Sequence, residues 1–165
     1  MDPLAELLAT DSRQTLEFFV ANLRDVSEPT VDRQELLYNA SMLAHFAQVP
    51  VERETMALPP DLSLIFDRFV AATAGCSDPQ MLETAGAQCL LYTGFFGDQL
   101  RHRYNLHWYS ELGSGFFMRA AAAEESAAKA RLLATMARHF EPWRRRHARL
   151  SLELRELPYL ISWKN

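Results

Sequence analysis

The amino-acid sequence predicts an all-α protein, a single irregular bundle of six to eight helices in one domain spanning residues 1–165. Three observations lead there. Apolar residues recur at intervals of three and four along most of the chain, the turn signals fall between those stretches, and no strand-like alternation finds a partner. The one alternating run, Leu150, Leu152 and Leu154, would be an isolated strand, and helical spacing through Trp143, Leu150, Leu154 and Leu157 accounts for the same residues.

The elements follow in order. Asp2-Pro3 opens a short first turn, and Asp11 with Gln14 resembles a capping box for a helix to about Val26, with Leu16, Phe19, Val20 and Leu23 as its buried stripe. Pro29 breaks the chain; Asp32 with Glu35 caps a second helix in which Leu36, Ala40, Leu43 and Ala47 line up as far as Gln48. Residues 49–59 hold two prolines and no sustained period, so they read as an extended surface connection. Pro60 suits a first helical position, Leu62, Ile65, Phe66, Phe69 and Val70 give an apolar face, and Gly75 closes a helix over 60–74.

Asp78-Pro79 restarts the chain with a cap and a proline at the first helical position. From Met81 to Tyr92 the polar residues form a narrow strip, which places the helix at 79–93 in the centre of the bundle. Gly94-Phe95-Phe96-Gly97 then bends the chain in a turn expected to be buried. In the next helix Leu106, Tyr109, Leu112, Phe116 and Ala120 share a face, while Gly113, Ser114 and Gly115 let another backbone come close. The alanine-rich stretch 120–140 has strong helix propensity, with Ala128, Leu132, Met136 and Phe140 four apart. Pro142 kinks that helix or starts a new one. The apolar tail 158–165 is expected to dock on the body or on a second subunit.

Composition excludes several classes. With 48% apolar and 23% charged residues and a net charge of −4, the chain is neither disordered nor basic enough to favour nucleic acid. It is long enough to bury roughly 68–70% of its unfolded surface without metal or disulfide staples. No basic leader with an apolar core, and no membrane-length apolar run, stands in the sequence, so a cytoplasmic protein without a membrane anchor is expected. Cys76 and Cys89 match no zinc or disulfide spacing and are expected to be reduced.

Residues 85–118 contain five of the six glycines and eight of the eighteen aromatic residues. Such a concentration marks either a tight helical crossing or the wall of a pocket. In the pocket reading, Tyr92, Phe95, Phe96, Trp108 and Tyr109 form an aromatic wall, and Arg101, His102 and Glu111 are its polar groups.

Catalytic motifs were sought by their mechanics. Leu112-Gly113-Ser114-Gly115-Phe116 lacks the glycine two positions before serine that a nucleophile elbow needs. Phosphate-loop, dinucleotide and Glu-x-x-His signatures do not occur, so no catalytic residue, metal or cofactor is assigned. His107 and Glu111, four apart, would share a helix face and suit either a surface hydrogen bond or two metal ligands. His102, His107, His139 and His147 are solvated or singly bonded unless the fold gathers them. Arg138, Arg144, Arg145, Arg146 and Arg149 around Trp143 read as a solvated face compensated by nearby glutamates, or as a phosphate or acidic-partner contact.

On Gly94-Phe95-Phe96, then Leu106, Tyr109, Gly113 and Phe117, and later His139-Phe140, the chain resembles a family of uncharacterised bacterial all-helical proteins. That family shares a Gly-Leu/Phe-Phe turn followed by a helix containing tyrosine and glycine, and the resemblance covers roughly residues 80–150. It implies no activity and no catalytic residue, and Phe117 stands where the family pattern implies a tyrosine. The function expected is that of a noncatalytic cytoplasmic protein that self-associates or binds a protein partner. The alternative is a small-molecule-binding or enzymatic domain with an aromatic pocket around residues 92–117.

Overall fold

The computed structural model describes residues 12–48 and 78–156; helices make up 84% of them, and no strand occurs among them. The all-α class is thus the observed one. The chain divides into two compact units, Met1–Pro59 and Pro60–Asn165. Asp11, the connection at 49–59, the helix expected over 60–74, Cys76 and the tail at 158–165 lie outside the described residues.

In the first unit, α1 spans Ser12–Asp25 and α2 spans Arg33–Gln48, and the two pack on each other. Thr15, Phe19 and Leu23 on α1 and Val26 just after it are buried, while Leu16 and Val20 are only half-buried. The buried stripe is therefore rotated toward Thr15, a residue that a reading by apolar period passes over. The helix ends where the Ser27 hydroxyl donates to the Leu23 carbonyl at 2.6 Å. Asp32 caps α2 as expected, its carboxylate accepting from the Glu35 backbone N–H at 3.0 Å. Leu36, Ala40, Leu43 and Ala44 fill the buried face, and the enclosed Asn39 amide donates to the Glu35 carbonyl at 2.8 Å.

The second unit begins with α3, Pro79–Leu90, where the Asp78 side chain accepts from the Gln80 N–H and Pro79 occupies the first turn. The chain then widens into a π turn, Leu91–Phe95, closed by the Phe96 N–H donating to the Leu91 carbonyl at 3.0 Å. The short α4, Gly97–Leu100, follows, and a turn leads to α5, Leu106–Ala123, whose cap Asn105 accepts from the Trp108 N–H at 3.2 Å. Gly94 and Gly97 are buried, while Phe95 and Phe96 are half-buried rather than enclosed.

The alanine-rich stretch is two helices. Glu124 adopts extended backbone, and the Ser126 hydroxyl accepts from the Lys129 N–H at 3.3 Å to start α6, Ala127–Arg138. Its buried residues are Leu133, Met136 and Ala137, so the core stripe passes through Leu133 instead of Ala128 and Leu132. Helix α7, Phe140–Glu156, begins afresh, with Pro142 in its first turn, where a missing N–H costs nothing.

Helix α5 packs on both α3 and α6 and also meets α7 and the π turn, so the centre of this unit is not held by the helix at 79–93 alone. Glycine sets the approach. A Cβ built on Gly113 would stand 2.6 Å from the Cβ of Cys89 and 2.7 Å from the Phe140 ring, and one on Gly86 would meet the Phe117 ring at 3.0 Å. The pairings 86 with 117 and 89 with 113 show that α3 and α5 run antiparallel. The Ser114 hydroxyl donates to the Ala137 carbonyl at 2.8 Å, and Lys129 reaches Glu83 at 3.2 Å, tying α6 to both neighbours.

Gly113→Ala is expected to lower unfolding stability by about 1–3 kcal/mol through overpacking against Cys89 and Phe140. Gly97→Ala, whose Cβ would meet Leu106 Cδ1 at an ordinary 3.5 Å, should be neutral or stabilising. Urea denaturation midpoints of the two variants check the contrast.

Candidate functional site

The interior of the second unit is built around the π turn. A Cβ on Gly94 would lie 2.8 Å from the Cβ of His147 and 2.9 Å from the Arg144 carbonyl oxygen, so α7 presses backbone against backbone here. Along α7 the fully enclosed residues Trp143, His147 and Leu150 repeat at helical spacing. His147 is 0% exposed, and burial pushes its imidazole down to about 3, so the ring is neutral in the fold. Burial likewise pushes the Cys89 thiol up to about 12, which removes the thiolate a nucleophile or metal ligand needs. The enclosed Thr93 hydroxyl donates to the Cys89 carbonyl at 2.6 Å. These groups serve packing.

The aromatic residues singled out from the sequence fall into two groups. Around the π turn, half-buried Tyr92 and Phe95 meet the Phe96 ring edgewise, at centroid separations of 6.1 and 5.3 Å. At the start of α5, Trp108 stands edge-on to Tyr109 at 4.8 Å, Tyr109 stands edge-on to Tyr104 at 5.9 Å, and the Arg103 guanidinium lies 5.3 Å from the Tyr104 ring centre. Arg101 is exposed and paired with Asp98 at 3.1 Å, and His102 is exposed on the same turn. Tyr109 faces the core, whereas Trp108 and Glu111 face solvent. Of the eight residues, Tyr109 is buried, Tyr92, Phe95 and Phe96 are half-buried, and Arg101, His102, Trp108 and Glu111 are exposed.

Glu111 binds His107 at 3.1 Å across one helical turn on the surface. No group of three or more His, Cys, Asp or Glu side chains arranged for a metal occurs among the described residues. His102, His107 and His139 are exposed while His147 is enclosed, so the four do not cluster. The arginine run is compensated within the chain. Arg144 forms a two-pronged pair with Glu141, and that hydrogen bond holds the Glu141 carboxyl below its ordinary range. Arg145 also reaches Glu141, Arg149 reaches Glu153, and Arg146 lies 4.4 Å from the Trp143 ring centre. No described helix is long and apolar enough to cross a membrane.

Among the described residues, the outer face of α5 carries two exposed large apolar side chains, Trp108 and Met118. Helical spacing puts Trp108, Glu111, Gly115, Met118, Arg119 and Ala122 on one side, all exposed, with half-buried Leu112 at its edge. The opposite side, Tyr109, Gly113, Phe116, Phe117 and Ala120, is buried. Trp108 is 42% and Met118 47% exposed, and a Cβ on Gly115 would meet nothing within 4 Å among the described residues. The outer side thus mixes Glu111 and Arg119 with two large nonpolar side chains that the described fold leaves uncovered. The edge-on contact with Tyr109 holds the Trp108 ring in place, which lowers the entropy lost when such an anchor binds. The pocket reading of the sequence placed Trp108 in an aromatic wall with Glu111 among its polar groups. Met118 and the outward direction of Gly115 were missed, although their spacing of seven and ten residues from Trp108 was there to read.

Comparison with known proteins finds no matching family model, curated protein or solved structure.

The enclosed His147 makes stability depend on pH. Its folded value lies below the usual unfolded value of 6.5, so the unfolded chain binds the extra proton and acid favours unfolding. Stability should be level above pH 6.5 and should fall toward pH 5, above the main carboxylate range, with a slope approaching about 1.4 kcal/mol per pH unit. His147→Leu should flatten that window in denaturation curves collected across it.

Proposed function

We propose that this protein works by binding a protein surface through the outer face of α5, in a noncatalytic assembly role. The single observation that carries this reading is the exposure of two large apolar side chains, Trp108 and Met118, on a helix whose other side already supplies the core. Burying apolar surface contributes about 25 cal/mol per Å², so a tryptophan and a methionine of this kind can supply the central anchors of an interface. Glu111 and Arg119 stand exposed on the same face between the apolar residues and give a partner charged groups to pair with.

Hydroxyl-radical footprinting tests the reading. Trp108 and Met118 should be oxidised several-fold more slowly inside cells producing the protein than in the dilute purified chain. Met81, 40% exposed on α3, should oxidise alike in both and serve as the control. Equal oxidation of Trp108 and Met118 in the two settings would sink the proposal.

A further inference from the structure

We infer that α7 is an acid-released arm: protonation of His147 opens α7 from the π turn while α3, α5 and α6 stay packed on one another. The inference concerns the interior of the second unit and does not rest on the surface reading of α5.

The arm has one main attachment. Among the described elements, α7 packs chiefly on the π turn and touches α3, α5 and α6 more sparingly, whereas α5 packs extensively on both α3 and α6. Separating α7 from the π turn therefore leaves the larger helix contacts of the unit in place. His147 sits at that attachment. The space a Gly94 side chain would fill holds the His147 Cβ and the Arg144 carbonyl. The imidazole is fully enclosed, and so are Trp143 and Leu150, one turn to either side along α7. An imidazolium in that enclosure loses its hydration, which is why burial pushes the ring down to about 3. Opening α7 returns the ring to water and restores its ordinary proton affinity.

The elements packed against α7 bring few ionisable groups inward. On the π turn Tyr92 alone carries a titratable side chain, and it is half-buried. Helix α3 brings Cys89, whose thiol is held protonated by burial, and α5 brings Tyr109. The buried residues of α4 and α6 do not ionise. No carboxylate of this unit is buried among the described residues, and those nearer the surface are engaged by arginines. Glu141 meets Arg144 and Arg145, Glu153 meets Arg149, and Asp98 meets Arg101 and Arg155. His102, His107 and His139 are exposed, so a proton gained there needs no movement of α7. The open arm binds the extra proton and the closed arm does not. The open population is therefore level above pH 6.5 and rises about tenfold for each pH unit below it. Opening uncovers Trp143 and Leu150, so mild acid gives the unit apolar surface that is enclosed at neutral pH.

Hydrogen exchange of the full chain, read by peptide mass between about pH 7.5 and 5 and corrected for intrinsic amide rates, tests this. A single helix out of contact with its neighbours is marginal in water, so amides of a released α7 exchange. Those around Trp143 and Leu150 should exchange through an opening about tenfold or more populated than the one that exposes the amides of α3 and α5. Their protection should be constant above pH 6.5 and should drop about tenfold per pH unit below it. His147→Gln, which keeps a polar side chain but takes up no proton, should remove that dependence. Should the variant fail to fold, the order of exchange and the slope in the unaltered chain decide the matter. Exchange of α7 in step with α3 and α5 at every pH overturns the inference. So does protection in α7 that stays constant down to pH 5, or a slope that survives in the glutamine variant.

Discussion

Close approach at Gly113 and Gly94 determines how the second unit is put together. Where Gly113 lacks a side chain, the Cβ of Cys89 and the Phe140 ring occupy the space, so α3, α5 and the start of α7 converge on one backbone position. Where Gly94 lacks one, α7 lays the Arg144 carbonyl and the His147 Cβ against the π turn. Each glycine weakens its helix by about 1 kcal/mol relative to alanine. The burial it permits is larger, because Trp143, Phe116, Phe117, Leu90 and Leu150 are all enclosed, and one such side chain contributes about 1.5–3 kcal/mol. The enclosed imidazole and thiol follow from the same geometry: they are neutral because the backbones around them leave no room for water.

Much of the fold was legible because its signals are local. Asp32, Asp78-Pro79 and Pro142 mark helix starts by backbone chemistry that needs no tertiary context, and the structure places starts at all three. The glycine-rich helix at 106–123 was legible as a close crossing for the same reason. What escaped were features decided by packing. The break at Glu124–Ser126 interrupts residues of high helix propensity, and only the Ser126 cap betrays it. The π turn was anticipated as a bend, but whether Gly94 and Gly97 end a helix or widen it depends on α7 pressing on Gly94. The face read for α5 holds in its buried Tyr109, Phe116 and Ala120, while Leu106 and Leu112 of that face are only half-buried.

The candidate surface was half-legible. Trp108 and Glu111 drew notice through aromatic density and charge, and both are exposed in the structure. Composition cannot distinguish an aromatic that walls a cavity from one that faces outward, because that depends on which helix sides the neighbours occupy. The arginines around Trp143 show the converse. Counted along the chain they make a basic run; in the fold Glu141, Glu153 and the Trp143 ring engage them.

The π turn also makes chain length, more than residue identity, the quantity that matters between Leu91 and Phe95. A widened turn is what a helix forms when it holds one residue beyond its regular winding. Removing a single residue there would let the helix wind evenly and would swing everything after it by roughly 100°. Phe96, Leu100 and the whole of α5 would then arrive rotated against partners that had not moved. Insertions and deletions should therefore be far less tolerated across these five positions than conservative exchanges of the side chains themselves.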